Sequence, residues 1–200
     1  MLEKSIELFE TYNKRRSYRQ FNPEAVIDIE VIENCIKAAA TAPSGANQQG
    51  YSFVIVRDLD VKNKIRIQAE LNEKNFYEDQ KNSKWHEDLK KLKTDFSKPF
   101  LTEASYLIVI YYHNKTDEGG KVYYPMHGVG LASGMLLSAL NQVGLQSLTY
   151  TPSGMGFLKE MFSRKSFEIP YMIVAVGLGD SDYQLPDIKR KTKEELIDIF

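Results

Sequence analysis

Apolar residues recur at helical spacing over residues 3–12 and 27–41, with an Asn-Pro turn at 22–23 before the second stretch. Two other stretches are continuous runs rich in β-branched and aromatic residues, at 51–56 (YSFVIV) and 105–112 (SYLIVIYY). Runs of this kind fill buried strands. The pattern therefore predicts two early helices and two strands of one sheet.

A helix is predicted over residues 61–71, and the composition changes after it. Residues 71–98 are nearly half charged and hold few apolar residues, so they are not expected in the core. Four apolar residues nevertheless recur there at steps of four, three and four, a narrow helical stripe that can dock on another surface: Trp85, Leu89, Leu92 and Phe96. We expect this segment to be a surface lid that opens and closes over a site.

The longest helix is predicted over residues 123–143, where glycine and alanine interrupt an apolar pattern. Glycine in a helix costs about 1 kcal/mol relative to alanine, so close packing of another backbone is expected there. Two further strands are predicted at 146–151 and 171–176, with a short helix at 157–162 between them. The polar tail, residues 186–200, is predicted to leave the domain.

Composition narrows the class of protein. A length of 200 residues suits one domain, and a formal net charge of −1 gives no field that would attract nucleic acid or an anionic membrane. The single cysteine, Cys35, excludes an internal disulfide and favours a reducing compartment, so the cytoplasm is expected. The sequence has no apolar run long enough for a membrane span, and its first 18 residues are too charged for a signal peptide.

Three segments could carry chemistry, and each also has a plain structural interpretation. The basic residues 14–19 (KRRSYR) suit a phosphate group, because arginine matches phosphate oxygens in bidentate geometry, but a solvated basic turn has the same composition. The loop 42–49 (APSGANQQ) lets a flat ring or a phosphate approach its backbone, or is an ordinary loop. The hydroxyl-rich segment 149–154 (TYTPSG) either contacts a ligand or only reflects the strand propensity of threonine.

Several other chemistries are disfavoured by spacing. The three histidines, His86, His113 and His127, have no metal-ligand spacing, so a metal site is not expected. The glycines of residues 128–134 do not follow the dinucleotide-binding pattern, and neither a P-loop nor a nucleophile elbow occurs. Cys35 lies on a predicted core helix, where an inert thiol is more common than a nucleophile.

Four segments taken in order resemble the FMN-binding segments of the nitroreductase superfamily: RRSYR at 15–19, TAPSGANQQ at 41–49, TYTP at 149–152 and PDIKRK at 186–191. Within that superfamily, WHEDLKKLKTDFSK at 85–98 and LPDIKRK at 185–191 resemble the iodotyrosine deiodinases, and the likeness runs from about residue 12 to the end. In contrast, the amide-rich residues 47–51 are closer to ordinary nitroreductases, and the membrane anchor of the animal enzymes is missing, which suggests a soluble microbial form.

The resemblance implies roles for named residues. It assigns the FMN phosphate to four arginines and a nearby serine: Arg15, Arg16, Arg19, Arg190 and Ser17. It places Pro43, Ser44, Gly45 and Asn47 along the flavin, and Thr151 at flavin N5 with Thr149 and Tyr150 beside it. It implies that the backbone N–H of Ala46 helps to receive a substrate phenolate. Glu73, Tyr77 and Lys98 match residues that hold the zwitterion of a halotyrosine.

The last three residues make chemical sense without the family. Glu73 and Tyr77 are four apart and share one helix face, and Lys98 lies at the far end of the same charged segment. A protein carboxylate can bind the ammonium of a free amino acid, and a protein ammonium and a phenol can bind its carboxylate. A chance selection from a segment full of charges is the alternative.

The resemblance implies an α+β nitroreductase fold, with a mixed sheet of four or five strands flanked by helices. It also implies an intertwined homodimer around the helix at 123–143, with FMN at the subunit interface and a C-terminal tail that wraps the partner. The implied reaction is reductive dehalogenation of a halotyrosine, with electrons from an external donor, either NAD(P)H or a reductase, flavodoxin or ferredoxin. Two alternatives stay open: an NAD(P)H-dependent nitroreductase or quinone reductase of broad specificity, and a flavin-binding protein without turnover.

Overall fold

A computed structural model describes residues 1–79, 84, 87, 89, 91–92 and 94–200. Trp85 of the apolar stripe and His86 lie outside the described residues. The described residues form six α-helices and four strands. The helices are α1 (Leu2–Lys14), α2 (Ile29–Ala39), α3 (Leu59–Asp79), α4 (Phe100–Glu103), α5 (Pro125–Gln142) and α6 (Gly156–Met161). The strands are β1 (Tyr51–Val56), β2 (Tyr106–His113), β3 (Gln146–Tyr150) and β4 (Glu168–Gly177). Within the described part of the chain, no helix is long and apolar enough to cross a membrane.

The sheet has the strand order β1-β2-β4-β3, and each neighbouring pair is antiparallel. The predicted mixed pairing is wrong for these strands. Among the residues that the structure describes, parallel pairing occurs only as an isolated bridge between Ser17 and Ser147. The reason lies in the connection through α5. It joins two strands of the same direction, β2 and β3, but β4 lies between them and runs the opposite way, so the parallel strands are not neighbours.

The helix lengths differ from the prediction. The longest described helix is α3, with 21 residues, rather than α5, with 18. The prediction ended α3 at residue 71, where the apolar pattern stops. However, the glutamate, lysine and asparagine residues that follow include no glycine or proline, so the helix continues at little cost to Asp79. This extension carries Glu73 and Tyr77 beyond the core.

The core forms two layers, one on each face of the sheet. Leu107, Val109 and Tyr111 of β2 pack toward α3, α4 and α6, while Ile108 and Ile110 pack toward α2 and α5. Alternate residues of a strand point to opposite faces, and all five are fully buried because both faces are covered. Cys35 of α2 is buried in the second layer, where burial raises the pKa of its thiol, as expected for an inert cysteine.

Helix α1 has no buried residue in this chain. Its apolar residues Leu2, Ile6 and Phe9 are spaced along one stripe and are 74%, 49% and 67% exposed. The helix joins α5 through polar contacts, since the Tyr12 hydroxyl hydrogen-bonds Ser138 and accepts from Gln142 Nε2 at 2.9 Å. The apolar stripe that predicted this helix is therefore uncovered in the single chain.

A buried carboxylate joins the neighbouring ends of β1, β2 and β4. Glu168 accepts hydrogen bonds from Ser52 Oγ at 2.6 Å, from the Lys165 backbone N–H at 2.9 Å and from the Arg164 guanidinium, and His113 Nε2 lies 3.5 Å from it. Burial opposes ionisation, but the hydrogen bonds from Ser52 and Arg164 prevail and hold the pKa of Glu168 below its usual value. Burial lowers the pKa of His113, so its ring is neutral at pH 7.

Glu168→Gln is expected to lower the free energy of unfolding by about 3 kcal/mol at pH 7, because it leaves a half-buried guanidinium without its carboxylate. A carboxylate with a lowered folded pKa stabilises the fold above its unfolded pKa and loses that contribution as the pH falls through the folded value. The gap between the parent and the variant should therefore close in acid. Denaturant unfolding at a series of pH values measures it, and a gap that stays constant with pH would contradict the assignment.

Candidate functional site

Glu73, Tyr77 and Lys98, called the clamp below, meet at one small cavity. The first two lie in the last two turns of α3, and Lys98 precedes α4. Lys98 Nζ lies 3.4 Å from Glu73 Oε2, and both side chains are nearly buried, at 4% and 12% exposure. The cavity has a volume of about 150 Å³. Besides the clamp, the residues that line it are Arg19, Leu89, Thr94, Phe100, Leu148, Thr149, Tyr150 and Thr151.

Lys98 is held in place by α3. Its backbone N–H donates to Glu70 Oε1 at 2.7 Å, and the same oxygen accepts from Arg66 Nε at 2.7 Å. The Lys98 ammonium also donates to the Asp95 carbonyl. Burial lowers the pKa of Lys98, and the Glu73 carboxylate acts against that shift. Among the described residues, Lys98 makes an ion pair with Glu73 alone, and both side chains are nearly buried.

Aromatic rings surround the Lys98 ammonium. Its Nζ lies 5.3 Å from the ring centroid of Tyr77 and 5.8 Å from that of Tyr150, within the range of a cation–π contact. Burial raises the pKa of Tyr77, against a hydrogen bond with Thr94 that lowers it. The sequence interpretation did not single out Thr94 or Phe100. Thr94 has no distinguishing feature within the segment 85–98, and Phe100 lies outside every quoted segment. Only the folding of residues 94–100 back onto α3 brings the two side chains to the cavity.

The end of β3 presents side chains to both of its faces. Thr149 and Thr151 are exposed, whereas Tyr150 between them is buried. Successive side chains of a strand point to opposite faces, which explains the alternation. The two threonine hydroxyls are therefore available to a ligand at the sheet edge, and the Tyr150 ring belongs to the layer that contains α3.

A second cavity, of about 390 Å³, is strongly cationic. It is lined by Asn13, Arg15, Arg16, Ser17, Ile188 and Arg190, with no carboxylate among them. Burial lowers the pKa of Arg15, and the charges of Arg190 and Arg16 lower it further, so the guanidinium groups repel one another. Arg190 donates to the carbonyls of Asn13 and Arg15 at 2.6 and 2.8 Å, which brings the C-terminal tail to this point. Such an arrangement suits a phosphate dianion.

Arg19 does not line this cationic cavity. It lines the clamp cavity and a larger neighbouring cavity of about 470 Å³. The five residues of the RRSYR segment are thus divided, because the chain is extended there and successive side chains point in different directions. The sequence interpretation grouped all four arginines on one phosphate, and the structure brings only Arg15, Arg16 and Arg190 together.

The loop that contains Pro43, Ser44, Gly45, Ala46 and Asn47 has a constrained backbone. Ala46 and Asn47 have φ of 51° and 55°, a left-handed conformation that costs about 1 kcal/mol or more for a residue other than glycine. At Gly45, an added Cβ would lie 2.6 Å from the Cβ of Tyr123. Gln48 fixes the loop against the same segment, since it donates to Lys121 O at 3.0 Å and accepts from Tyr123 N at 2.7 Å.

This loop does not meet the other candidate residues within one chain. Residues 43–47 line neither the clamp cavity nor the cationic cavity. The loop precedes β1, at one edge of the sheet, whereas Thr151 follows β3 at the opposite edge. With strands about 4.8 Å apart, three spacings separate the two edge strands by roughly 14 Å. The candidate site is therefore divided into two parts in the single chain.

The structure thus combines a sheet covered by helices on both faces, a cavity lined by three arginines without a carboxylate, and a clamp with opposite charges at a separate cavity. The model of the nitroreductase family matches residues 12–178. The chain belongs to the nitroreductase family. The predicted family fold is confirmed, with the correction to the strand pairing given above.

Within the nitroreductase family, the chain is similar to proteins named iodotyrosine deiodinase. The chain is 41% identical to iodotyrosine deiodinase of Haliscomenobacter hydrossis, over 100% of this chain and 91% of that protein. It is 41% identical to iodotyrosine deiodinase 1 of Mus musculus, over 98% of this chain and 70% of that protein. The structure of an iodotyrosine deiodinase bound to FMN and 3-iodo-L-tyrosine superposes with a TM-score of 0.83 at 32% identity, over 96% of this chain and 97% of that one. The predicted resemblance to iodotyrosine deiodinases is confirmed.

Proposed function

We propose that this protein removes halogen reductively from a 3-halotyrosine, with FMN as its cofactor. The observation that carries the proposal is the clamp, because Lys98 is remote in sequence from Glu73 and Tyr77 yet meets them at one cavity. The relatives named iodotyrosine deiodinase at 41% identity support the same substrate class. In the balanced reaction, the aryl halide takes up two electrons and one proton, releases halide and becomes tyrosine.

The clamp recognises the amino acid part of the substrate. Glu73 takes the substrate ammonium, while Lys98 and Tyr77 take the carboxylate, so the zwitterion replaces the ion pair that Glu73 and Lys98 make with each other. We further propose that residues 71–98 act as a lid, since a ligand bound at both of its ends couples substrate binding to exclusion of water.

The residues of the cationic cavity fit the FMN phosphate. Arg15, Arg16, Ser17 and Arg190 supply cations and a hydroxyl with no competing carboxylate. Thr151 would donate to the flavin ring, with Thr149 and Tyr150 beside it. Arg19, which the resemblance assigns to the FMN phosphate, lines the clamp cavity. FMN supplies the two electrons when bound. An external donor, NAD(P)H or a reductase, flavodoxin or ferredoxin, would restore them. The lone buried thiol of Cys35 favours a cytoplasmic setting.

The strained loop completes the site from a second copy of the chain. Pro43, Ser44, Gly45 and Asn47 would lie along the flavin of the partner subunit, and the Ala46 N–H would receive the substrate phenolate. Two observations support a homodimer: the loop and Thr151 lie at opposite sheet edges, and α5 exposes Leu131 (50%) and Met135 (36%). A Cβ at Gly134, between them, would meet no atom within 4 Å, which leaves room for another backbone.

Leu131→Glu is expected to convert the dimer to a monomer and to release FMN. In a two-fold interface one substitution buries two unpaired carboxylates, each costing several kcal/mol. Light scattering after gel filtration gives the mass, and flavin absorbance gives the occupancy. Ile67→Glu is the matched control, because Ile67 is 68% exposed on α3 and should leave the dimer intact. A flavin-loaded dimer of Leu131→Glu would place the interface elsewhere.

The proposed reaction is tested without oxygen. The purified protein is reduced with dithionite and mixed with 3-iodotyrosine, with a nitroaromatic compound, or with neither, while flavin absorbance and released iodide are measured. Reoxidation by iodotyrosine with stoichiometric iodide and tyrosine is the expected result. Reoxidation by the nitroaromatic alone would favour the broad-specificity reductase instead, and no reoxidation would favour a flavin-binding protein without turnover.

A further inference from the structure

The hydroxyl of Tyr150, the last residue of β3, is buried but does not stabilise the fold through a full hydrogen bond to any described residue. Its side chain is 9% exposed, and its ring packs edge-on against Phe100 with centroids 5.3 Å apart. The hydroxyl has no hydrogen-bond partner among the described residues. Burying a polar group without a partner destabilises a protein, so such a group usually awaits a ligand or has a role. Tyr150 lines the clamp cavity, where a ligand is expected.

The surroundings of the hydroxyl determine which group it can bind. Burial, followed by the charge of the nearby Glu73, raises the pKa of Tyr150, so the phenol keeps its proton at neutral pH. A contact between the hydroxyl and the Glu73 carboxylate raises the pKa further, although its distance and angle fall short of a full hydrogen bond. Lys98 Nζ lies 5.8 Å from the Tyr150 ring centroid. The phenol thus lies near both the Glu73 carboxylate and the Lys98 ammonium, and among the described residues it makes a full hydrogen bond with neither.

We propose that Tyr150 is a further substrate-binding residue, whose hydroxyl donates a hydrogen bond to the carboxylate of the amino acid held by Glu73 and Lys98. This inference rests on the proposed function, since it assigns a second phenol to the same substrate pole. Once Glu73 accepts from the ligand ammonium, the phenol proton needs another acceptor; a carboxylate supplies one, whereas an ammonium has none. The ammonium of Lys98 lies over the rings of both Tyr77 and Tyr150, so the carboxylate that it attracts comes between two phenols.

The test compares two ligands that differ only in the carboxylate. Tyr150→Phe removes the hydroxyl and keeps the ring against Phe100 and Lys98. The affinity for 3-iodotyrosine should fall roughly 10- to 100-fold, as expected for a hydrogen bond to a charged group. The affinity for 3-iodotyramine, which lacks the carboxylate, should not change. Flavin fluorescence of the FMN-loaded protein measures both.

Thermal stability separates this role from a structural one. Without ligand, Tyr150→Phe should melt at the same temperature as the parent or higher, because it removes an unsatisfied buried hydroxyl. Tyr106→Phe is the matched control: its hydroxyl donates to the Ile27 carbonyl at 2.8 Å, so this variant should melt lower and bind iodotyrosine like the parent. If Tyr150→Phe does not fold, Tyr150→Met removes the hydroxyl with a flexible apolar side chain, and the same two ligands are compared.

The inference is overturned if the Tyr150 variant binds iodotyrosine as tightly as the parent does, or if both ligands lose the same factor. In either case the parent protein still binds and dehalogenates iodotyrosine, so only the role of Tyr150 is lost. Failure of the parent to bind iodotyrosine would instead remove the proposed function, and the inference with it.

Discussion

Glu73→Gln is expected to weaken the binding of 3-iodotyrosine by tens to thousands of fold. The ammonium of the ligand would lose its carboxylate partner, and Lys98, whose side chain is only 4% exposed, would lose the anion that favours its charged form. Leaving a buried charge without its partner costs about 2–5 kcal/mol, and each 1.4 kcal/mol is about tenfold in affinity. Lys98→Met should have an effect of similar size, because it leaves the ligand carboxylate unpaired.

The loss should be confined to ligands with a zwitterion. Titration of flavin fluorescence gives the affinity, and both variants should retain FMN and reduce halophenols or nitroaromatics as the parent does. Glu78→Gln and Lys74→Met change the same charges at exposed positions of α3 and serve as controls. Equal affinity across all variants would mean that the clamp is only an ion pair within the fold, and the function would then be that of a broad-specificity reductase.

Arg15→Gln is expected to reduce FMN affinity roughly 10- to 100-fold, because a hydrogen bond to a charged group contributes about 1.5–3 kcal/mol. Arg15 lines the cationic cavity with Arg16 and Arg190, and burial and their charges lower its pKa. Relief of this repulsion should leave the FMN-free protein at least as stable as the parent. The substitution thus separates cofactor binding from folding.

Equilibrium dialysis against FMN gives the affinity, and thermal melts of the FMN-free protein give the stability. Lys14→Gln removes one positive charge from the adjacent residue, which is exposed and lines no part of the cavity, and should bind FMN normally. Equal losses in the two variants would show that the effect is general electrostatic attraction rather than a built phosphate site.

Apolar runs and helical periodicity predicted the main elements of the core. The run at 51–56 is β1, and the helical pattern at 27–41 contains α2, because these segments bury a regular face that the sequence must encode. Periodicity did not predict the part of α3 that extends beyond the core. After Ala69, α3 has no fully buried residue, so helix propensity rather than periodicity carries it to Asp79.

The candidate site was likewise predictable from the sequence only in part. Residue chemistry and family resemblance were enough to nominate Glu73, Tyr77 and Lys98, since a zwitterion needs that set of groups. The 3.4 Å pairing of Glu73 with Lys98 and the unpartnered hydroxyl of Tyr150 depend on how residues 94–100 fold back onto α3. The sequence by itself determined which elements form and which chemical groups are available. Only the tertiary structure decided their distances and partners, because contacts between residues remote in the chain arise from packing and leave no local periodicity.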